Sequence, residues 1–197
     1  MDIANIFPDQ VWSIILDGES DNRFSQFMRK CLDPEFIDDF FERNFNYIKN
    51  NPFYSGHSVQ EVKESAHKEA KRFLTDFVKY YKNGLKGVTP DLEEKFKCLH
   101  RNPRNTDSEH RRELYGFSET DISPVFRLYG IRVDSDKEED PPGYVVTGGG
   151  IKVKSRNNKD TALNKEMSLM QSAQDWLKKQ KLYKKEDLIN RTNEHTE

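Results

Sequence analysis

Two short runs late in the chain hold the residue types that chemistry on an anionic substrate needs. Val125 to Val133, VFRLYGIRV, alternates as a strand does. That alternation places Arg127 and Tyr129 on one face and Arg132 on the other. Gly143 to Ser155, GYVVTGGGIKVKS, places Lys152 and Lys154 two residues apart, on one strand face, just beyond three consecutive glycines. If the two runs pair, one sheet presents arginine, tyrosine and lysine beside a glycine-opened space. That combination suits a phosphodiester: cations stabilise the charge of its transition state, and a tyrosine holds a phosphate or stacks on a base. The plainer reading of the same residues pairs Arg127 with a carboxylate and packs Tyr129 in the core.

Gly148, Gly149 and Gly150 have neither the spacing of a Walker loop nor that of a dinucleotide-binding turn, and no helix follows them directly. Glycines flanked by β-branched residues mark a bulge, a bend or the close approach of another group. The expectation is a bend or bulge that turns Lys152 to the open side of the sheet. No cysteine–histidine cluster has metal-ligand spacing, so no metal or other cofactor is expected. Cys31 and Cys98 lie far apart and read as idle thiols of a reducing cytoplasm.

The elements that must position these residues follow from periodicity. Val11 to Leu16 reads as a short strand closed by Asp17-Gly18. Phe24, Phe27, Met28, Cys31 and Leu32 fall on one face of a helix, and Asp33-Pro34 opens a second helix that runs to Ile48. Ser58 and Glu61 form a capping-box pattern at the head of a long helix ending near Gly84. Leu92 to Leu99 reads as a short helix, and the polar stretch from His100 to Thr120 as loop. Strands are expected at 125–133, 143–147 and 150–154, followed by helices around 161–180 and 184–191. The fold class is therefore α+β: a small antiparallel sheet packed by helices. Residues 1–100 form a mainly helical region packed on the same sheet as residues 101–197.

The 197 residues carry a net charge of −2, unevenly spread. Residues 1–50 hold 10 acidic against 5 basic side chains, whereas residues 147–185 hold 10 basic against 3 acidic. The basic end permits an anionic partner, and lysines on a solvated helix are its plainer explanation. No apolar run approaches a membrane span and no signal peptide opens the chain, so a cytoplasmic location is expected.

FRLYGIRV and YVVTGGGIKVKS together resemble a family of bacterial proteins with the pattern LRLY-x-IR … VI-x-GG-x-IK. IFPDQVWSIILDGES, DPEFIDDFFERN and KFKCLH extend the likeness upstream. The strand pair resembles the core hairpin of the RelE/HigB-like toxins, in which an arginine and a lysine on adjacent strands support mRNA cleavage. That resemblance implies Arg127 as the phosphate-binding cation and Lys152 as the second, with Tyr129 and His110 as the groups for proton transfer. RNA contacts are expected at Lys154, Arg156 and Arg132. The partners the resemblance implies are RNA or the ribosome, and a helix-turn-helix antitoxin encoded beside the gene. Three functions follow as alternatives: a ribonuclease toxin, a non-catalytic interaction module docking that regulator, and a nucleic-acid binder without hydrolysis.

Overall fold

In the computed structural model, which describes residues 1–99, 110–116, 121–153 and 161–194, helices cover both faces of a six-stranded sheet. The strands are β1 (Asp2–Phe7), β2 (Val11–Ile15), β3 (Phe96–Cys98), β4 (Arg111–Tyr115), β5 (Phe126–Val133) and β6 (Gly143–Ile151). Their order is β1-β2-β6-β5-β4-β3. The fold is α+β, as the sequence indicates, but the sheet is mixed: β2 runs parallel to β6 while the other neighbours are antiparallel. The long chain between β2 and β6 makes that parallel pairing possible, because parallel neighbours need a crossover. The glycines do not separate two strands. β6 passes through them as one strand, still paired with β5.

The helices follow their caps. Asn22 accepts the Ser25 N–H at the head of α1 (Arg23–Leu32), and Asp33 accepts those of Glu35 and Phe36 at the head of α2 (Pro34–Arg43). The stripe expected to continue to Ile48 is interrupted at Asn44. Its side-chain amide donates to the Phe40 carbonyl at 2.8 Å, and α3 (Phe45–Lys49) restarts beyond it. The Ser58–Glu61 capping box opens α4 (Val59–Leu85), 27 residues long. The helix expected over 92–99 stops early: α5 (Leu92–Lys95) gives way to β3, where Phe96 stacks on Tyr144 at 4.5 Å. β3 pairs with β4 inside the stretch that reads as loop in the sequence.

Helices α1 to α4 pack on one face of the sheet, against Phe126, Leu128, Tyr144 and Val146. Helices α6 (Thr161–Lys179) and α7 (Lys185–Asn193) cover the other face, against Trp12, Tyr129, Ile131 and Val145. The long helix α4 is tied to the start of β5 by Glu69, whose carboxylate accepts the N–H groups of Val125 at 2.9 Å and Phe126 at 3.1 Å. Gly116 passes so close that a Cβ there would collide with the same carboxylate.

Burial pushes the Glu69 carboxyl up to about 7 from an ordinary value of 4.5, against the opposing pull of those N–H groups and Arg127. The folded chain thus retains a proton that the unfolded chain releases. Glu69 therefore destabilises the fold progressively as pH rises from about 4.5 to about 7, and its contribution is constant above that window. Urea unfolding across this range should show wild type losing stability relative to Glu69→Gln as pH rises. A pH-independent difference between the two proteins would contradict the assignment.

Candidate anion-binding site

The register of three strands assembles the site. Tyr115 pairs with Arg127 and Glu113 with Tyr129 across β4 and β5, and Arg127 pairs with Gly150 across β5 and β6. Directly opposed residues share a face. Tyr115, Glu113, Arg127, Tyr129 and Gly150 therefore lie on one side, and Lys152 follows two residues after Gly150.

A β-bulge is what brings Lys152 there. Tyr129 pairs with Gly148, but its neighbour Gly130 pairs with Val146, so Thr147 is the extra residue. Before the bulge the even-numbered residues Tyr144 and Val146 face α1 to α4; after it the odd-numbered Ile151 and Val153 do. The same shift moves Lys152 to the opposite side, where Arg127 is. The bend that the sequence places at Gly148–Gly150 lies one residue earlier, and it has the expected consequence. Gly148 has φ +155°, a conformation that favours glycine.

Arg127 and Lys152 converge on a third group, the carboxylate of Glu113. Its Oε1 lies 3.5 Å from Arg127 Nε, 3.4 Å from Lys152 Nζ and 3.3 Å from the Tyr129 hydroxyl, which donates to it. All three contacts are long, and at 3.5 Å the Arg127 contact is an ion pair without a hydrogen bond. Arg127 is held instead by Nη1, which donates to the carbonyls of Pro124 at 2.8 Å and Phe126 at 2.7 Å. Its Nη2 makes no hydrogen bond among the described residues. The guanidinium also lies 4.0 Å from the centre of the Tyr115 ring, a cation–π contact.

Beside this cluster is a cleft of about 210 Å³ whose walls include Arg127, Lys152, Tyr115, Phe53, Tyr54 and Pro124. Phe53 and Tyr115 are well exposed there, at 59% and 41%. Burial pushes the Tyr54 phenol up to about 12, and burial followed by the Glu113 charge raises that of Tyr115, so both are neutral donors at neutral pH. A cleft this small encloses only part of a ligand. It can hold an anionic group on the two cations while flat rings lie along its aromatic rim.

Of the other expected site residues, Tyr129 stays in the cluster but on its buried side, and His110 and Arg132 lie elsewhere. Tyr129 is completely buried beneath α6, with its hydroxyl spent on Glu113 and its pKa raised first by burial and then by that carboxylate. It packs in the core, the plainer of its two readings. His110 lies at the opposite end of β4, with Nδ1 3.2 Å from the Arg132 carbonyl. It precedes Arg111, the partner of Ile131, which is four residues or about 13 Å along β5 from Arg127. Arg132 points to the other face, where it pairs with Glu93 at 3.1 Å and with Asp134. Lys154 and Arg156 lie outside the described residues.

Glu113 and Tyr115 are the residues of this cluster and cleft that the sequence did not signal. They sit in RRELY, where charged residues at 111–113 mask the alternation of a short strand. Among the described residues, no group of three or more histidine, cysteine, aspartate or glutamate side chains is placed to hold a metal ion. No helix among them is long and apolar enough to cross a membrane. Comparison with protein-family models, with curated proteins and with solved structures gives no match to this chain. The class that the fold and site define is thus an α+β protein with a two-cation, aromatic-rimmed cleft.

Proposed function

We propose that the protein binds single-stranded RNA, with a phosphate on Arg127 and Lys152 and an adjacent base against Tyr115 and Phe53. The observation that carries this reading is the convergence of both cations on a cleft whose exposed walls are aromatic. Bases of any sequence stack on such rings, and phosphates supply the charge that the cations recognise. The role fits the toxin-like resemblance of the strand pair, and it extends to the helix-turn-helix antitoxin as a regulatory partner.

A cleaving variant of this reading rests on Glu113. Its carboxylate contacts both cations and would accept the proton of an attacking ribose hydroxyl. Arg127 and Lys152 would then stabilise the negative charge that builds on the phosphoryl oxygens as the bond from phosphorus to the 5′-oxygen breaks, with solvent protonating the departing oxygen. Binding requires only the cleft, whereas cleavage also requires RNA to reach a carboxylate that is itself buried.

Fluorescence anisotropy with a labelled single-stranded RNA oligonucleotide tests the binding. Tyr115→Ala should weaken it by about tenfold, the loss expected for one stacked base. Lys152→Ala should weaken it and lower the salt slope by about one. Absence of binding at low salt, or unchanged binding by both variants, overturns the reading. Growth arrest on induction of wild type, relieved by folded Arg127→Ala and Glu113→Gln, would identify cleavage. RNA binding without arrest would identify a binder.

A further inference from the structure

A second pocket lies between α1, α2 and the glycine stretch of β6, and it goes beyond the RNA-binding reading. We propose that it binds a small amphipathic acid: a flat apolar body with a carboxylate at one end and a hydroxyl donor at the other. The pocket has a volume of about 370 Å³, within the range of small-ligand sites. Phe27, Phe36, Phe40 and Phe126 supply apolar walls, and the bare backbone of Gly149 and Gly150 supplies another. β2 pairs with β6 only over Tyr144 to Val146, so among the described residues no strand covers the outer edge of the glycine stretch.

The two ends of the pocket differ in chemistry. At one end Glu166 on α6 is held by Arg23, whose Nη2 lies 2.5 Å from Oε1. Its second oxygen, Oε2, is buried with no hydrogen-bond partner. A buried carboxylate oxygen in that state is costly unless a donor reaches it. Farther along α1 stands the cation Lys30, and Arg43 at the C-terminal end of α2 is a second cation on the pocket wall. Lys30 is exposed and makes no ion pair among the described residues, while Arg43 has only Asp39 of its own helix, at 3.7 Å. Arg23 and Lys30 are seven residues apart on α1, about 10 Å along its axis. A ligand spanning that length meets an acceptor first, then aromatic rings, then positive charge.

The probe that matches this order is 3-(4-hydroxyphenyl)propionate, with 3-phenylpropionate as its counterpart lacking the hydroxyl. Isothermal titration calorimetry should show saturable binding of the first and about tenfold weaker binding of the second, the loss of one hydrogen bond to a charged group. Lys30→Glu/Arg43→Glu, both on exposed positions of folded helices, should abolish binding of either while leaving the circular dichroism spectrum unchanged. The proposal is overturned by a lack of binding to wild type, by equal binding of the two acids, or by unchanged binding in the charge-reversed protein. None of these outcomes bears on Arg127 and Lys152, so the RNA-binding reading stands or falls separately.

Discussion

Glu113→Ala lowers the stability of the protein by about 3 kcal/mol, the cost of leaving buried charges without their partner. The side chains of Arg127 and Lys152 are only 8% and 14% exposed, and Glu113 is the carboxylate they share. Removing it leaves a guanidinium and an ammonium facing each other across a void, with the Tyr129 hydroxyl deprived of its acceptor. Glu113→Gln keeps an oxygen for Tyr129 and fills the space, so its loss is smaller. The cluster also makes a more specific prediction than destabilisation. Inorganic phosphate should raise the melting temperature of Glu113→Ala more than that of wild type, because an anion in the cleft replaces the missing charge. Urea unfolding reads the first effect, and thermal unfolding with and without phosphate reads the second. A Glu113→Ala protein as stable as wild type, or one indifferent to phosphate, would show that the cations do not depend on this carboxylate.

Gly149→Ala costs about 3 kcal/mol through overpacking at a position where nothing nearby can yield. A Cβ there would lie 2.5 Å from the Arg127 carbonyl oxygen and 2.6 Å from a ring carbon of Phe27. The first is backbone in the adjacent strand. The second belongs to a ring fixed between Phe73 and Phe126. Either β5 and β6 separate or α1 lifts from the sheet. At Gly148 an added Cβ would instead meet the end of the Glu166 side chain, a flexible group, although φ there disfavours any other residue. The middle glycine is thus required for close packing and the first for backbone conformation. Denaturation midpoints settle the case: a Gly149→Ala protein with a midpoint near that of wild type would mean that the helix accommodates the methyl group at little cost.

Much of the fold was legible because local signals and tertiary packing agree. The capping box of Ser58 and Glu61, the Asp33-Pro34 junction and the alternation of FRLYGIRV each appear in the structure as the elements they indicate. What was not legible lacked a local signal. β1 reads DIANIF and β4 reads RRELY, and neither has the uniform alternation of a half-buried strand. Both are strands because neighbours provide pairing partners: β2 for the first, β3 and β5 for the second. The parallel pairing of β2 with β6 joins residues more than 130 positions apart, which no window of sequence can display.

The candidate site divides the same way. By itself the sequence determined that Arg127 and Tyr129 share a strand face, since side chains alternate along any strand, and that glycines precede Lys152. It also indicated an irregularity near those glycines. Only the tertiary structure decided that the irregularity is a bulge at Thr147, and a one-residue shift is what sets which face Lys152 joins. The tertiary structure likewise brought Glu113 into contact with both cations, buried Tyr129 under α6 and left His110 at the far end of its strand. Alternation is a property of one strand. Which face is open, and which charges meet across it, depends on the register between strands and on the helices that cover them.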